Sequence, residues 1–157
     1  MYTETVMDHF TNPRNVGKIA LADGVGMVGD AGCGDQLTVY VKISRGTIQD
    51  IRFLVYGCAA SIATSSMTTV LAKGKTLEDA LKITEDDIIN ALGGLPEEKH
   101  HCSNLGVGAL KAAIQDYQMK KPLSWFQKFR IKLNRTVADN REKLIHHMMV
   151  RFNGKRR

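Results

Sequence analysis

No stretch of these 157 residues is a hydrophobic run of transmembrane length, and none has the composition of a secretory signal peptide. A membrane-spanning chain is excluded on that reading, and a cytoplasmic, reducing location is the expectation. Cysteine is scarce: there are three, an odd number that cannot close into a disulfide framework, and their separations of 25 and 44 residues supply no CxxC pair. Internal repeats and low-complexity segments are absent as well, which excludes solenoids and composition-driven tails. With 43% hydrophobic residues, the chain has room for one domain with a real core and an appendage, and is too short for two ordinary domains.

Charge is unevenly placed. Residues 1–119 hold 10 Lys and Arg against 14 Asp and Glu, a net of −4, whereas residues 120–157 hold 12 against 2, a net of +10. The overall +6 is therefore a property of the tail, and no nucleic-acid-binding motif accompanies it, so nucleic acid is not expected as a partner.

Tyr2, Val6 and Phe10, with Met7 beside them, recur at helical spacing until Pro13 stops the pattern. Leu37, Val39, Val41 and Ile43 alternate with polar residues, and after Ser44-Arg45-Gly46 a second run places Ile51, Phe53 and Val55 on one face, predicting an antiparallel hairpin with one buried side. Gly24–Gly29 reads as an irregular third strand whose glycines permit turns. Past Cys58 the period becomes helical, with Ala63, Met67, Val70 and Leu71 on one side and a stop at Gly74. Thr76 and Thr84 each open a short helix with Asp three residues on, and Gly93-Gly94 ends the second. Leu110, Ala113, Ile114 and Tyr117 mark the buried stripe of a longer helix beginning near Ser103. The fold class is α+β: a small antiparallel three-stranded sheet packed against several helices, over residues 1–120, with a helical extension over 121–157.

The cysteines carry the chemistry. Cys33 lies in Asp30-Ala31-Gly32-Cys33-Gly34-Asp35, Cys58 where a strand passes into a helix, and Cys102 in Lys99-His100-His101-Cys102-Ser103, just before a helix. Flanking glycines, a nearby Asp and a double His suit exposed, ligand-bearing loops better than inert core positions. A helix N-terminus stabilises an anion and lowers a thiol's pKa, which applies to Cys58 and Cys102. Three thiolates with Asp35 or His101 as a replaceable fourth ligand make a soft metal site for iron or zinc, or a sulfur acceptor. Asp35 is a hard oxygen among soft donors, so its bond to iron is the weakest of the set. Two other readings fail. Adjacent His101 and Cys102 would point in different directions, unlike a hydrolase's base and nucleophile, and Gly24-Val25-Gly26-Met27-Val28-Gly29 leads into a strand, not the helix a nucleotide loop requires.

The ordered motifs resemble the IscU/NifU family of iron-sulfur cluster assembly scaffolds. The matching stretches are Tyr2 through Gly17, with Asp8-His9-Phe10 and Asn12-Pro13-Arg14-Asn15-Val16-Gly17, then Gly32-Cys33-Gly34-Asp35, Phe53 through Ser66, and Gly93 through Leu105. The resemblance covers residues 1 to 119 and implies a scaffold and cluster carrier, not a turnover enzyme. On it, Cys33, Cys58 and Cys102 bind iron or zinc with Asp35 or His101 in the remaining position, and a transient 2Fe-2S cluster is built from iron and persulfide sulfur. Cys102 is implied as the persulfide acceptor from a cysteine desulfurase, apo iron-sulfur proteins as recipients, and Lys99 as a basic neighbour of the site. A ferredoxin partner and a homodimer stay open, as does Zn in the isolated protein.

The chain departs from the family in two places. Where bacterial members carry Leu-Pro-Pro-Val-Lys for a specialised Hsp70 chaperone, it reads Leu95-Pro96-Glu97-Glu98-Lys99, which argues against dependence on that chaperone. It also continues past the family core. There Trp125, Phe129, Leu133, Val137, Leu144 and Met148 recur at near-helical spacing among Lys and Arg, the pattern of a basic amphipathic helix. The leading rival function is a zinc-dependent, SufU-like sulfurtransferase that partners a desulfurase. That variant carries an insertion between its second and third cysteines, for which the 44-residue separation is short.

Overall fold

A computed structural model describes residues 1–29, 32 and 34–120; Cys33 and the basic stretch 121–157, with the amphipathic helix expected there, lie outside the described residues. The strands are β1 (Gly24–Gly29), β2 (Gln36–Ser44) and β3 (Thr47–Tyr56), antiparallel in the order β1-β2-β3. The period-2 pattern places Leu37, Val39, Val41, Ile51 and Phe53 on one face, and the shift in β2–β3 pairing brings Ile48 to it as well, each no more than 1% exposed. A register shift between Lys42 and Ile43 leaves Ile43 partly buried. The hairpin turns through Arg45 and Gly46, at φ 52° and 79°, the two consecutive positive values that match the twist of paired strands.

Helices cover the buried face. They are α1 (Glu4–Thr11), α2 (Ala59–Ala72), α3 (Leu77–Leu81), α4 (Glu85–Ala91) and α5 (His101–Lys120), with a single 3-10 turn at Glu97–Lys99. Thr3, Thr76 and Thr84 cap α1, α3 and α4 through their hydroxyls, and Thr84 with Asp87 closes a complete capping box. At Thr76 the carboxylate of Asp79 instead accepts from the threonine hydroxyl, at 2.8 Å. No helix among the described residues is long and apolar enough to cross a membrane.

Several expectations need correction. β1 is a regular strand through its whole length, and its glycines make no turns. Side-chain carbon on Gly24 or Gly26 would strike the α5 backbone at Ala113 or Ala109, so glycine is what lets α5 lie directly on the sheet. In α1, His9 is buried while Phe10 and Met7 are exposed; His9 gives Nδ1 to a 2.8 Å hydrogen bond with Ser66 Oγ. In α2, Ala63 and Met67 are buried as expected, but Val70 is 43% exposed, and the buried surface also takes in Ala60, Ala72 and six hydroxyl residues. The α5 helix begins at His101, ahead of Ser103, so Cys102 sits inside its first turn.

The segment after α1 fixes the far edge of the sheet. Phe53 N–H donates to the Asn15 carbonyl at 3.0 Å and Gly17 N–H to the Phe53 carbonyl at 2.9 Å, so residues 15–17 run beside β3. At the other edge, Val25 N–H donates to the Asp116 carboxylate at 2.8 Å, satisfying an outward-facing amide of β1.

Candidate metal centre

The hairpin, α2 and α5 meet where the chemistry-bearing residues lie. Asp35 immediately precedes β2, and because Gln36 pairs with Tyr56 at the end of β3, Asp35 comes against Gly57. A Cβ on Gly57 would stand 2.8 Å from the Asp35 carboxyl carbon and Oδ1, so the missing side chain is what admits the carboxylate. Gly57 then leads into Cys58, the N-cap of α2, and α5 crosses α2 with Cys102 in its first turn. The Cys102 carbonyl accepts from Thr64 Oγ1 at 3.2 Å, which ties the two helix starts together.

One ligand atom from each of Asp35, Cys58 and Cys102 falls within 4.8 Å of the others. The sulfurs of Cys58 and Cys102 are 3.9 Å apart, and the Cys102 sulfur is 4.0 Å from Asp35 Oδ2. His101 is outside this trio, yet its Nε2 lies 3.5 Å from the Cys102 sulfur, so the two adjacent side chains do not diverge as expected. His100 turns away and bonds the Leu95 carbonyl at 3.1 Å. Cys33 is two residues before Asp35 in sequence, outside the described residues.

The trio is more enclosed than glycine-rich flanks suggest. Cys102 is 1% exposed and Asp35 is 5% exposed, while Cys58 is half-buried. The two thiols respond in opposite ways. Burial works against ionising Cys58, but the Ser61 hydroxyl and the backbone amides of Ser61 and Ala60, the exposed donors of a helix start, outweigh it, and the Cys58 pKa is lowered. Cys102 departs from the expectation of an acidified thiol: burial pushes it up to about 11, and negative charge on Cys58 and Asp35 adds to the effect. Two thiolates and a carboxylate this close repel one another, and a divalent cation among them removes that cost. Alkylation tests the asymmetry. At pH 8 Cys102 holds roughly a hundredfold less thiolate than an ordinary cysteine, so peptide mapping after brief iodoacetamide treatment finds Cys58 modified and Cys102 protected.

Two neighbours went unassigned on sequence grounds. Ser61, 1% exposed, donates its hydroxyl to Asp35 Oδ2 and lies 3.4 Å from each sulfur. Its place one helical turn after the N-cap Cys58 was the available signal. Tyr2 is the other: burial, then charge on Cys58 and Cys102, raises its pKa, and the Lys99 cation opposes them, which places Tyr2 within the electrostatic reach of the thiols and of Lys99. Nothing in the local sequence around Tyr2 signals this, because the two thiols are 56 and 100 residues away in the chain.

Comparison with known proteins agrees with this arrangement. The family described as NifU-like N terminal domain matches residues 1–123. Iron-sulfur cluster assembly scaffold protein IscU 1 of Archaeoglobus fulgidus is 61% identical over 120 residues, covering 76% of this chain and 78% of that protein. Iron-sulfur cluster assembly scaffold protein IscU of Azotobacter vinelandii is 46% identical over 126 residues, covering 78% of this chain and 98% of that protein. Among solved structures, a protein from Fervidobacterium islandicum described as an iron-sulfur cluster assembly scaffold for the SUF system superposes with a TM-score of 0.61 at 26% identity, covering 72% of this chain and 96% of that one. A match that runs unbroken from the first residue through the whole of α5 leaves one conclusion: the chain belongs to the IscU/NifU-like family.

Proposed function

We propose that this protein is a scaffold on which a 2Fe-2S cluster is assembled as cargo and from which it passes to apo iron-sulfur proteins. The observation that carries the reading is the convergence of Asp35, Cys58 and Cys102 within 4.8 Å, on a chain 61% identical to a named assembly scaffold. Cys33 completes the sulfur donors, and Asp35 or His101 takes the remaining position. A donor set of soft thiolates with one hard or borderline ligand suits iron and zinc and disfavours magnesium or calcium.

Sulfur arrives as a persulfide on a cysteine desulfurase. The Cys102 thiolate attacks the outer sulfur; a new S–S bond forms on Cys102, the donor's S–S bond breaks, and the donor cysteine leaves as thiolate. Cys102 must first give up its proton, and with that thiol pushed up to about 11, bound metal or a docked desulfurase has to favour the anion. Reducing the transferred sulfur to sulfide takes two electrons, for which a ferredoxin-class donor is suited. The protein releases its product intact to a recipient, which makes it a carrier and not a turnover enzyme. Its three thiols call for a reducing compartment such as the cytoplasm.

A second reading, zinc-dependent sulfur relay, draws on the likeness to the SUF-system protein and on a donor set that equally suits Zn. Anaerobic reconstitution with ferrous iron, cysteine and a cysteine desulfurase separates the two. The scaffold reading expects a visible chromophore with equal iron and sulfide on the parent, lost in Cys33→Ala, Cys58→Ala and Cys102→Ala. A colourless parent that holds Zn and gains one sulfur on a cysteine selects the relay.

A further inference from the structure

Of the six hydroxyl residues of α2, five hydrogen-bond to described backbone and Ser61 is the exception. Ser65 and Thr68 donate to the carbonyls four residues back, at 2.6 and 2.7 Å, and Thr69 to the carbonyl three back at 2.7 Å, as buried helical hydroxyls commonly do. Thr64 donates to the Ser61 and Cys102 carbonyls, and Ser66 accepts from Arg14 N–H and meets His9. Ser61 makes none of these backbone contacts with its hydroxyl. Among the described residues its Oγ is directed at Asp35, Cys58 and Cys102, and it is only 1% exposed. A neutral hydroxyl is a poor ligand beside thiolates, so this placement serves the ligands and does not add one.

We infer that Ser61 is a positioning residue whose hydroxyl weakens the bond Asp35 makes to metal and so sets how readily the site lets its cargo go. This rests on Asp35, Cys58 and Cys102 being ligands, as proposed above. Ser61 has one proton and, among the described residues, three acceptors around it. A carboxylate is the strongest of the three, so the proton rests on Asp35 Oδ2, while the sulfurs at 3.4 Å receive at most the weaker share. Electron density committed to that proton is withdrawn from a metal, and the hydrogen bond also turns the carboxylate toward α2. Asp35 is thus a weak ligand twice over: by the hardness of its oxygen and by the donor Ser61 supplies. When the hydroxyl is removed the sulfurs lose only the weaker share of its proton, and the Ser61 and Ala60 amides still serve Cys58.

The test uses the full chain with Co(II) alone under anaerobic conditions, following sulfur-to-cobalt charge-transfer absorption as a chelator extracts the ion. Ser61→Ala is expected to release Co(II) about fivefold more slowly than the parent, the size of one net hydrogen bond. Ser61→Gly, a second hydroxyl-free variant, gives the same slowing if Ser61→Ala folds poorly, and Ser61→Thr, which keeps the hydroxyl, restores the parental rate. In an Asp35→Ala background the effect of Ser61→Ala disappears, a pairwise dependence that general loosening of the fold would not reproduce. Release from both hydroxyl-free variants as fast as or faster than the parent overturns the inference, as does equal slowing with and without Asp35. A parent that binds Co(II) without any charge-transfer band removes the ligand assignment itself, a different failure.

Discussion

Replacing Asp35 by alanine is expected to leave a more persistent cluster, with release to a chelator or acceptor slowed roughly tenfold, the lower end of what changes around a metal site produce. Among sulfur donors the carboxylate oxygen is the mismatched member, and it already shares Oδ2 with the Ser61 proton. Without it the fourth position falls to His101, whose Nε2 is 3.5 Å from the Cys102 sulfur and whose imidazole suits iron better than a hard oxygen does. Decay of the visible chromophore under identical anaerobic conditions measures this. Faster loss in Asp35→Ala than in the parent would remove Asp35 from the role of release point.

Gly26→Ala carries the largest expected cost in stability. The added carbon would strike the Ala109 carbonyl oxygen and the Ala113 amide nitrogen and stand 2.9 Å from the Ala112 carbonyl carbon, all of them backbone atoms of α5 that cannot rotate away. Relief requires α5 to lift from the sheet, which opens contacts along the core at Ala109, Leu110 and Ala113. An overpacking cost of about 1–3 kcal/mol follows, read as a Tm lowered by roughly 5–10 °C in a domain of this size. Because Cys102 stands on α5, cluster loading falls with it. Gly29→Ala is the control, since among the described residues its Cβ meets only the Asp35 carbonyl oxygen at 3.6 Å. Equal melting temperatures for the two variants would contradict the close-packed strand and helix described above.

The hairpin was legible because its information is local. Leu37, Val39 and Val41 alternate without interruption, and Arg45-Gly46 supplies the turn. The helix starts at Thr76 and Thr84 were legible for the same reason, since a hydroxyl and an aspartate three residues on are all a cap needs. What local pattern misread was set by distant chain. The glycines of β1 look like turns until α5, more than 80 residues later, is laid on them, and only then is the absence of side chain seen as a packing requirement. Gly57 likewise takes its role from distant chain, since its missing side chain is what admits Asp35. The three ligand candidates Asp35, Cys58 and Cys102 were named from their flanks, but those flanks suggested exposed loops. Their burial, and with it the upward shift at Cys102, follows from α5 and α2 closing over the end of the sheet.

If the metal held by these residues is cargo, it can be followed off the protein. Reconstituted parent protein is mixed anaerobically with an apo-ferredoxin, the two are separated, and iron, sulfide and visible absorption are determined on each. A scaffold gives a 2Fe-2S spectrum that leaves this chain and appears on the ferredoxin, with iron and sulfide moving together. Metal that stays bound to the chain while only sulfur moves would contradict it and make the protein a sulfur relay.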